Sequence, residues 1–286
     1  MALYDINGNV VSGSSGASDF GLTEYNVFED NDGASARQAV LTYQGKRLYP
    51  KNYPEQRIDK VKVYDGGLMI TLGDSYTAYL NTFFDTFATK HGLIQKNVGL
   101  ASSKIARPEG EGQDTIKSFV TRLDEFVASF PITINGVTYG ISDVKLVTFM
   151  GGANDWTTVD ETQGIDRIGD RYSTDKGQIY GATKYCLQTL QETFSAADII
   201  VILQPNNANN SDFCIMELKE NVIKECAEMY SLPICDCCFD FHSPANPSEL
   251  VKYWQSDKLH LTSDGHQALI DKLEITLNTL LYYKAS

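Results

Sequence analysis

The chain is short of positive charge. Its 37 acidic residues outnumber 24 lysines and arginines, which leaves a net charge of −13 and a pI near 4.7. A protein that binds phosphate backbones needs a basic footprint. The acid excess therefore argues against nucleic acid and anionic membrane surfaces as partners, and its plainest role is solubility. Long apolar runs are missing as well. No stretch approaches the ~20 residues of a membrane-spanning helix. The opening run, MALYDINGNVVSGSSG, has neither the basic start nor the apolar middle of a signal peptide. Unless a signal was removed, this predicts a cytoplasmic protein or one carried on an assembly.

Histidine is scarce, at four residues, so each one carries weight. The six cysteines are Cys186, Cys214, Cys226, Cys235, Cys237 and Cys238. Cys235 and Cys238 stand at C-x-x-C spacing with His242 shortly after, but a zinc site needs a second pair, and none stands at ligand spacing. No structural metal is expected. Buried free thiols fit better, and they favour a reducing or anaerobic setting.

What is present is ordinary for a globular protein: 42% hydrophobic and 21% charged residues over 286 positions. That length holds one full α/β domain with a small extra piece. Residues 1–64 are rich in Gly, Ser, Asn and Asp and lack helical periodicity. They read as an irregular or small β arm, or an attachment segment, with Val40 to Tyr43 a short strand. Residues 65–286 form the main domain.

From Leu68 the pattern is regular. Apolar runs at Leu68–Leu72, Val144–Met150 and Ile199–Leu203, with shorter ones at Asn97–Leu100 and Leu232–Cys235, predict five strands. Helical spacing links Tyr79, Leu80, Phe83, Phe84, Phe87 and Ala88. It recurs from Ile116 to Phe130, Tyr180 to Phe194, Met216 to Tyr230 and Leu269 to Leu280. Strands alternating with helices predict a parallel sheet covered on both faces, a three-layer α/β/α fold. Ligands of such sheets sit beyond the carboxyl ends of the strands.

Three segments at those ends carry candidate chemistry. The first strand closes in Gly73-Asp74-Ser75-Tyr76, where a serine meets a helix start. Ser75 is either a nucleophile near a positive helix end or a plain N-cap. The third strand closes in Gly151-Gly152-Ala153-Asn154-Asp155. The Asn154 amide is either an oxyanion donor or part of an Asx turn. Near the C-terminus stands Asp257-Lys258-Leu259-His260, in which Asp257 can orient the His260 imidazole as the acid of a Ser-His-Asp triad does. His266, shortly beyond, reads as a structural residue in the first turn of the last helix.

Together these segments resemble the SGNH, or GDSL, hydrolase family: Gly-Asp-Ser at 73–75, Gly-Ala-Asn-Asp at 152–155 and Asp-Lys-Leu-His at 257–260. The resemblance spans roughly residues 66–286. It implies a flavodoxin-like sheet and ester hydrolysis through an acyl-enzyme, with Ser75, Asp257 and His260 catalytic and no cofactor. It also implies an oxyanion hole built from the N–H groups of Ser75 and Ser102 and the Asn154 amide. Here the chain departs from the family, which usually has a glycine where Ser102 stands. Gly99 is the alternative donor, and the departure puts the glycine's backbone angle in question.

Tyr76, Trp156 and Trp254 lie beside these segments and are candidate substrate-binding rings. Residues 157–177 are polar and read as a rim loop. No apolar lid segment of a lipase kind is visible. The expected substrate is a small-molecule or carbohydrate ester, foremost an O-acetyl group on a sugar. Rival readings are acyl transfer, a lipase-type esterase, and a retired carbohydrate-binding module. In the last case the N-terminal arm would join the domain to a homo-oligomer or larger assembly.

Overall fold

The computed structural model describes residues 20–26, 37–43, 46–47, 64–107, 117–155, 167–207 and 213–285. Contacts divide the chain into two units, Met1–Val61 and Lys62–Ser286. In the first, strands β1 (Phe20–Asn26), β2 (Arg37–Tyr43) and β3 (Lys46–Arg47) form an antiparallel sheet.

The second unit is built on a parallel sheet of β4 (Leu68–Gly73), β5 (Ile94–Asn97), β8 (Val144–Met150), β9 (Asp198–Leu203) and β10 (Ile234–Asp236). Their spatial order is β5-β4-β8-β9-β10. Strand β4 has no exposed residue, as a central strand covered on both faces requires. Its side chains alternate between two cores. Leu68, Ile70 and Leu72 join Phe119, Leu187 and Ile223 on one face, while Met69 joins Phe84, Leu269 and Leu273 on the other. The first core is supplied by α3 (Phe119–Ala128), α4 (Ile179–Thr193) and α5 (Phe213–Met229). The second is supplied by α2 (Asn81–Lys90), α6 (Pro247–Tyr253) and α7 (Ser263–Ala285). This is the three-layer α/β/α arrangement that the alternation of strands and helices predicts.

The order sets the position of the site. From β4 the chain crosses one face through α2 to reach β5, then returns across the other face through α3 to β8. The connections diverge between β4 and β8, which makes their carboxyl ends the switch point where a crevice opens. Gly73 and Met150, the last residues of these strands, are register partners.

Boundaries depart from the sequence reading in particular places. The second strand runs Ile94–Asn97 instead of Asn97–Leu100. It is an edge strand whose Gln95 and Lys96 break the apolar pattern. The helix expected through Tyr79 and Ala88 is two, α1 (Ser75–Tyr79) and α2, meeting at Leu80. A hairpin of β6 (Ile132–Ile134) and β7 (Val137–Tyr139) adds to the expected elements. Its sequence signal is Asn135-Gly136, two residues that both take positive φ as a tight hairpin turn demands. Helix α6 is a further addition. Its signal is Asn246-Pro247: Asn246 caps the helix by accepting from the Ser248 N–H, and Pro247 begins the first turn.

Candidate active site

Strand β4 delivers Ser75 to the crevice. A Cβ at Gly73 would collide with Thr77 Oγ1 and stand 2.6 Å from the Met150 carbonyl oxygen, so only glycine lets β4 turn into α1 beside β8. Asp74 caps α1 by accepting from the Tyr76 N–H at 3.0 Å. Ser75 is thus the first residue of the helix, not its cap. Its Oγ lies 3.1 Å from His260 Nε2.

His260 and Asp257 sit on a loop closed at its base. Trp254 and Leu261 form an antiparallel bridge. The Gln255 N–H donates to the His260 carbonyl at 2.8 Å, and the Gln255 amide donates to the Leu261 carbonyl at 2.8 Å. Within the loop, Asp257 Oδ1 accepts from the N–H groups of Leu259 and His260, each at 3.0 Å. Its Oδ2 lies 2.7 Å from His260 Nδ1. Desolvation pushes the Asp257 carboxyl up, but bonds from the His260 ring and the two backbone N–H groups together outweigh it and hold the group below the ordinary carboxylate range. An anionic Asp257 keeps a proton on Nδ1 and leaves Nε2 free to accept one from Ser75. Ser75, distant in sequence from Asp257 and His260, is therefore brought beside them.

The residues expected to supply oxyanion donors stand on neighbouring turns. Ser102 takes φ 62°, the left-handed region that a glycine enters freely. Gly99, the alternative, is unsuited. Its N–H already donates to Asn97 Oδ1 at 2.7 Å, and a Cβ there would meet the Ala78 nitrogen at 2.6 Å. The Asn154 amide donates one N–H to the Ser103 carbonyl at 3.1 Å. The second N–H of a primary amide is available for another acceptor.

Of the three candidate rings, two are not available for stacking. Tyr76 is 1% exposed and Trp254 is 2% exposed. Tyr76 lies in the core with its hydroxyl donating to the Leu259 carbonyl at 2.5 Å. Trp254 packs edge-on against Phe241 and Tyr253. Both are core residues that brace the loop, because a strand-end tyrosine and a bridge tryptophan point inward here. Trp156 and residues 157–166 of the expected rim loop lie outside the described residues. Among the described residues, a ring that stands exposed beside His260 is Tyr79, expected on the core face of a helix. It is 51% exposed, with its centroid 4.9 Å from that of the His260 ring in an edge-on contact. His266 stands in the first turn of α7 against Phe83, where burial lowers its pKa.

Beneath the turns lies a buried polar layer that the sequence reading does not single out. Arg122 on α3 donates to the Gly73 carbonyl at 3.1 Å and to Ser103 Oγ at 2.9 Å. Asp155 accepts from the N–H groups of Ile105 and Ala106, each at 2.9 Å. Lys219 on α5 donates to the carbonyls of Ala153 and Asp155. Burial pushes the carboxyls of Asp74 and Asp155 up to about 6. Among the described residues, no three His, Cys, Asp or Glu side chains gather as metal ligands. The five cysteines whose side chains are described are buried and free, with Cys235 and Cys237 sulfurs 3.9 Å apart.

The model of the GDSL-like lipase/acylhydrolase family matches residues 71–268. Solved structures share the fold at low identity. A protein from Lactobacillus plantarum superposes with a TM-score of 0.57 at 20% identity, covering 74% of this chain and 97% of that one. The lipase/acylhydrolase from Enterococcus faecalis gives 0.50 at 16%, covering 75% and 96%. An alpha/beta hydrolase enzyme from the metagenome of Lake Arreo, Spain, gives 0.51 at 15%, covering 78% and 99%. No curated protein matches the sequence. The family model runs from β4 into α7, and on that match the chain belongs to the GDSL-like lipase/acylhydrolase family.

Proposed function

We infer that this hydrolase is a serine esterase acting on a small acyl ester, foremost an acetyl group on a carbohydrate, through an acyl-enzyme on Ser75. The observation that carries the reading is the relay Ser75 Oγ–His260 Nε2 at 3.1 Å and His260 Nδ1–Asp257 Oδ2 at 2.7 Å. Ser75 Oγ bonds to the ester carbonyl carbon while its proton passes to His260 Nε2. The tetrahedral oxyanion is held by the N–H groups of Ser75 and Ser102 and by the Asn154 amide. When the bond to the leaving oxygen breaks, His260 returns the proton to it and an alcohol departs. Water then repeats the attack, gives its proton to His260 and releases the acid, and Ser75 regains its proton.

The substrate class rests on Tyr79 and on the composition of the sequence after β8. Tyr79 offers a half-exposed ring beside His260, and aromatic faces suit the apolar face of a sugar. The stretch from 157 to 177 is polar, which fits a hydrated carrier better than a lipid.

The test compares the protein with its Ser75→Ala variant on p-nitrophenyl acetate, p-nitrophenyl palmitate and acetylated xylo-oligosaccharides. Acetyl release that depends on Ser75 supports the reading. Cleavage of the palmitate with none of the acetylated sugars overturns the substrate class, and activity that survives Ser75→Ala overturns the mechanism.

A further inference from the structure

Gln204 follows β9 and is fully buried. Its side-chain nitrogen and oxygen are both used, and they bind two different turns of the site. Its Nε2 donates to Asp74 Oδ1 and Oδ2, each at 2.9 Å. Its Oε1 accepts from the Ala153 N–H at 2.8 Å. Asp74 is the residue before Ser75, and Ala153 is the residue before Asn154. One amide therefore spans the nucleophile turn after β4 and the oxyanion turn after β8. Gln204 is itself fixed, because its backbone N–H donates to Glu220 Oε2 at 3.1 Å.

We propose that Gln204 is the positioning residue that sets Ser75 and Asn154 relative to each other. This rests on the reading of Ser75 as nucleophile and Asn154 as oxyanion donor. The two turns come from strands that share no covalent link near the site. An attack trajectory and an oxyanion donor must nevertheless agree within a fraction of an ångström. Neither a carboxyl nor an apolar side chain can do what this amide does at neutral pH. The position needs a donor toward Asp74 and an acceptor toward Ala153 at once, and a primary amide supplies both without changing its protonation.

The arrangement can be reversed without losing the span. With Asp74→Asn and Gln204→Glu combined, the new amide at position 74 donates to the new carboxylate at position 204. That carboxylate still accepts from the Ala153 N–H, and the new amide's oxygen still accepts from the Tyr76 N–H. Each single change instead breaks the pair. Gln204→Glu sets two carboxyls face to face, and Asp74→Asn leaves the Gln204 N–H₂ facing an amide that offers one acceptor oxygen in place of two.

The experiment uses the full chain in four forms: wild type, Gln204→Glu, Asp74→Asn and the double variant. Thermal unfolding accompanies p-nitrophenyl acetate kinetics and the rate of Ser75 labelling by a fluorophosphonate. The expected result is a fall of about 10–100-fold in kcat and in labelling rate for each single variant, since small misplacements near reacting atoms cost that much. KM should stay within about twofold, and the double variant should recover most of both rates. If Gln204→Glu fails to fold, Asp74→Asn and the double variant still decide the matter. Wild-type kcat and labelling in a folded single variant overturn the proposal, as does a double variant no better than the singles. A wild type whose Ser75 is not labelled overturns the nucleophile reading itself. That outcome is distinct from normal labelling that ignores Gln204.

Discussion

The Tyr76 hydroxyl donates to the Leu259 carbonyl across 183 positions of sequence, at 2.5 Å. Tyr76 adjoins Ser75, and Leu259 adjoins His260. The bond therefore ties the element that carries Ser75 to the loop that carries His260. Tyr76→Phe keeps the ring in the core and removes only this tie. The expected loss is about 1 kcal/mol of stability, the usual worth of such a bond. The kcat for p-nitrophenyl acetate should fall by about 3–30-fold as His260 loosens against Ser75. Denaturant melts and steady-state kinetics on the variant check both.

Ser102 holds a left-handed backbone, which costs a non-glycine residue about 1 kcal/mol. Ser102→Gly relieves that cost while keeping the N–H. The variant should unfold at the same or higher denaturant concentration and keep its esterase activity. A clear loss of stability would show that the serine side chain makes a contribution larger than the strain.

Asn154→Ala removes the side-chain donor and leaves the backbone of its turn in place. On the proposed mechanism this is an oxyanion donor, and loss of one such donor costs about 10²–10³ in kcat. The fall should appear in kcat with KM little changed, because the bond strengthens as the oxyanion forms.

Asp74 sets a pH dependence of stability. Burial raises its folded pKa to about 6 from 3.8. Between about pH 4 and 6 the folded state keeps a proton that the unfolded chain has released, so Asp74 favours folding less as pH rises through that window. Asp155 is shifted in the same direction. In Asp74→Asn the contribution of Asp74 vanishes. The stability of the variant relative to wild type should therefore improve as pH rises from about 4.5 to 7. Urea denaturation of both proteins across that range measures it, and a difference that is flat or opposite in slope contradicts the shift.

Most of what lies along the strands is legible in the sequence. Runs such as Ile199–Leu203 are buried on both faces, so apolar continuity alone marks them. Ser75, Asn154, Asp257 and His260 are legible because each stands in a short segment whose residue types are chemically particular. The layer beneath is not. Arg122 and Lys219 are charged residues on helices, a type mostly found exposed, yet both are buried against carbonyls of the site turns. Gln204 gives no local signal, since its partners Asp74 and Ala153 follow other strands. Tyr79 shows the reverse failure. Its spacing fits a core face, but α1 ends there and leaves the ring beside His260.

The most direct test of the account is active-site titration with p-nitrophenyl acetate, followed by peptide mass analysis of protein quenched with acid. The account predicts a burst of p-nitrophenol near one equivalent per chain, with a single acetyl group on the peptide containing Ser75. Burst and acetyl group should both be absent from Ser75→Ala. An acetyl group on another residue, or turnover undiminished in Ser75→Ala, would contradict it.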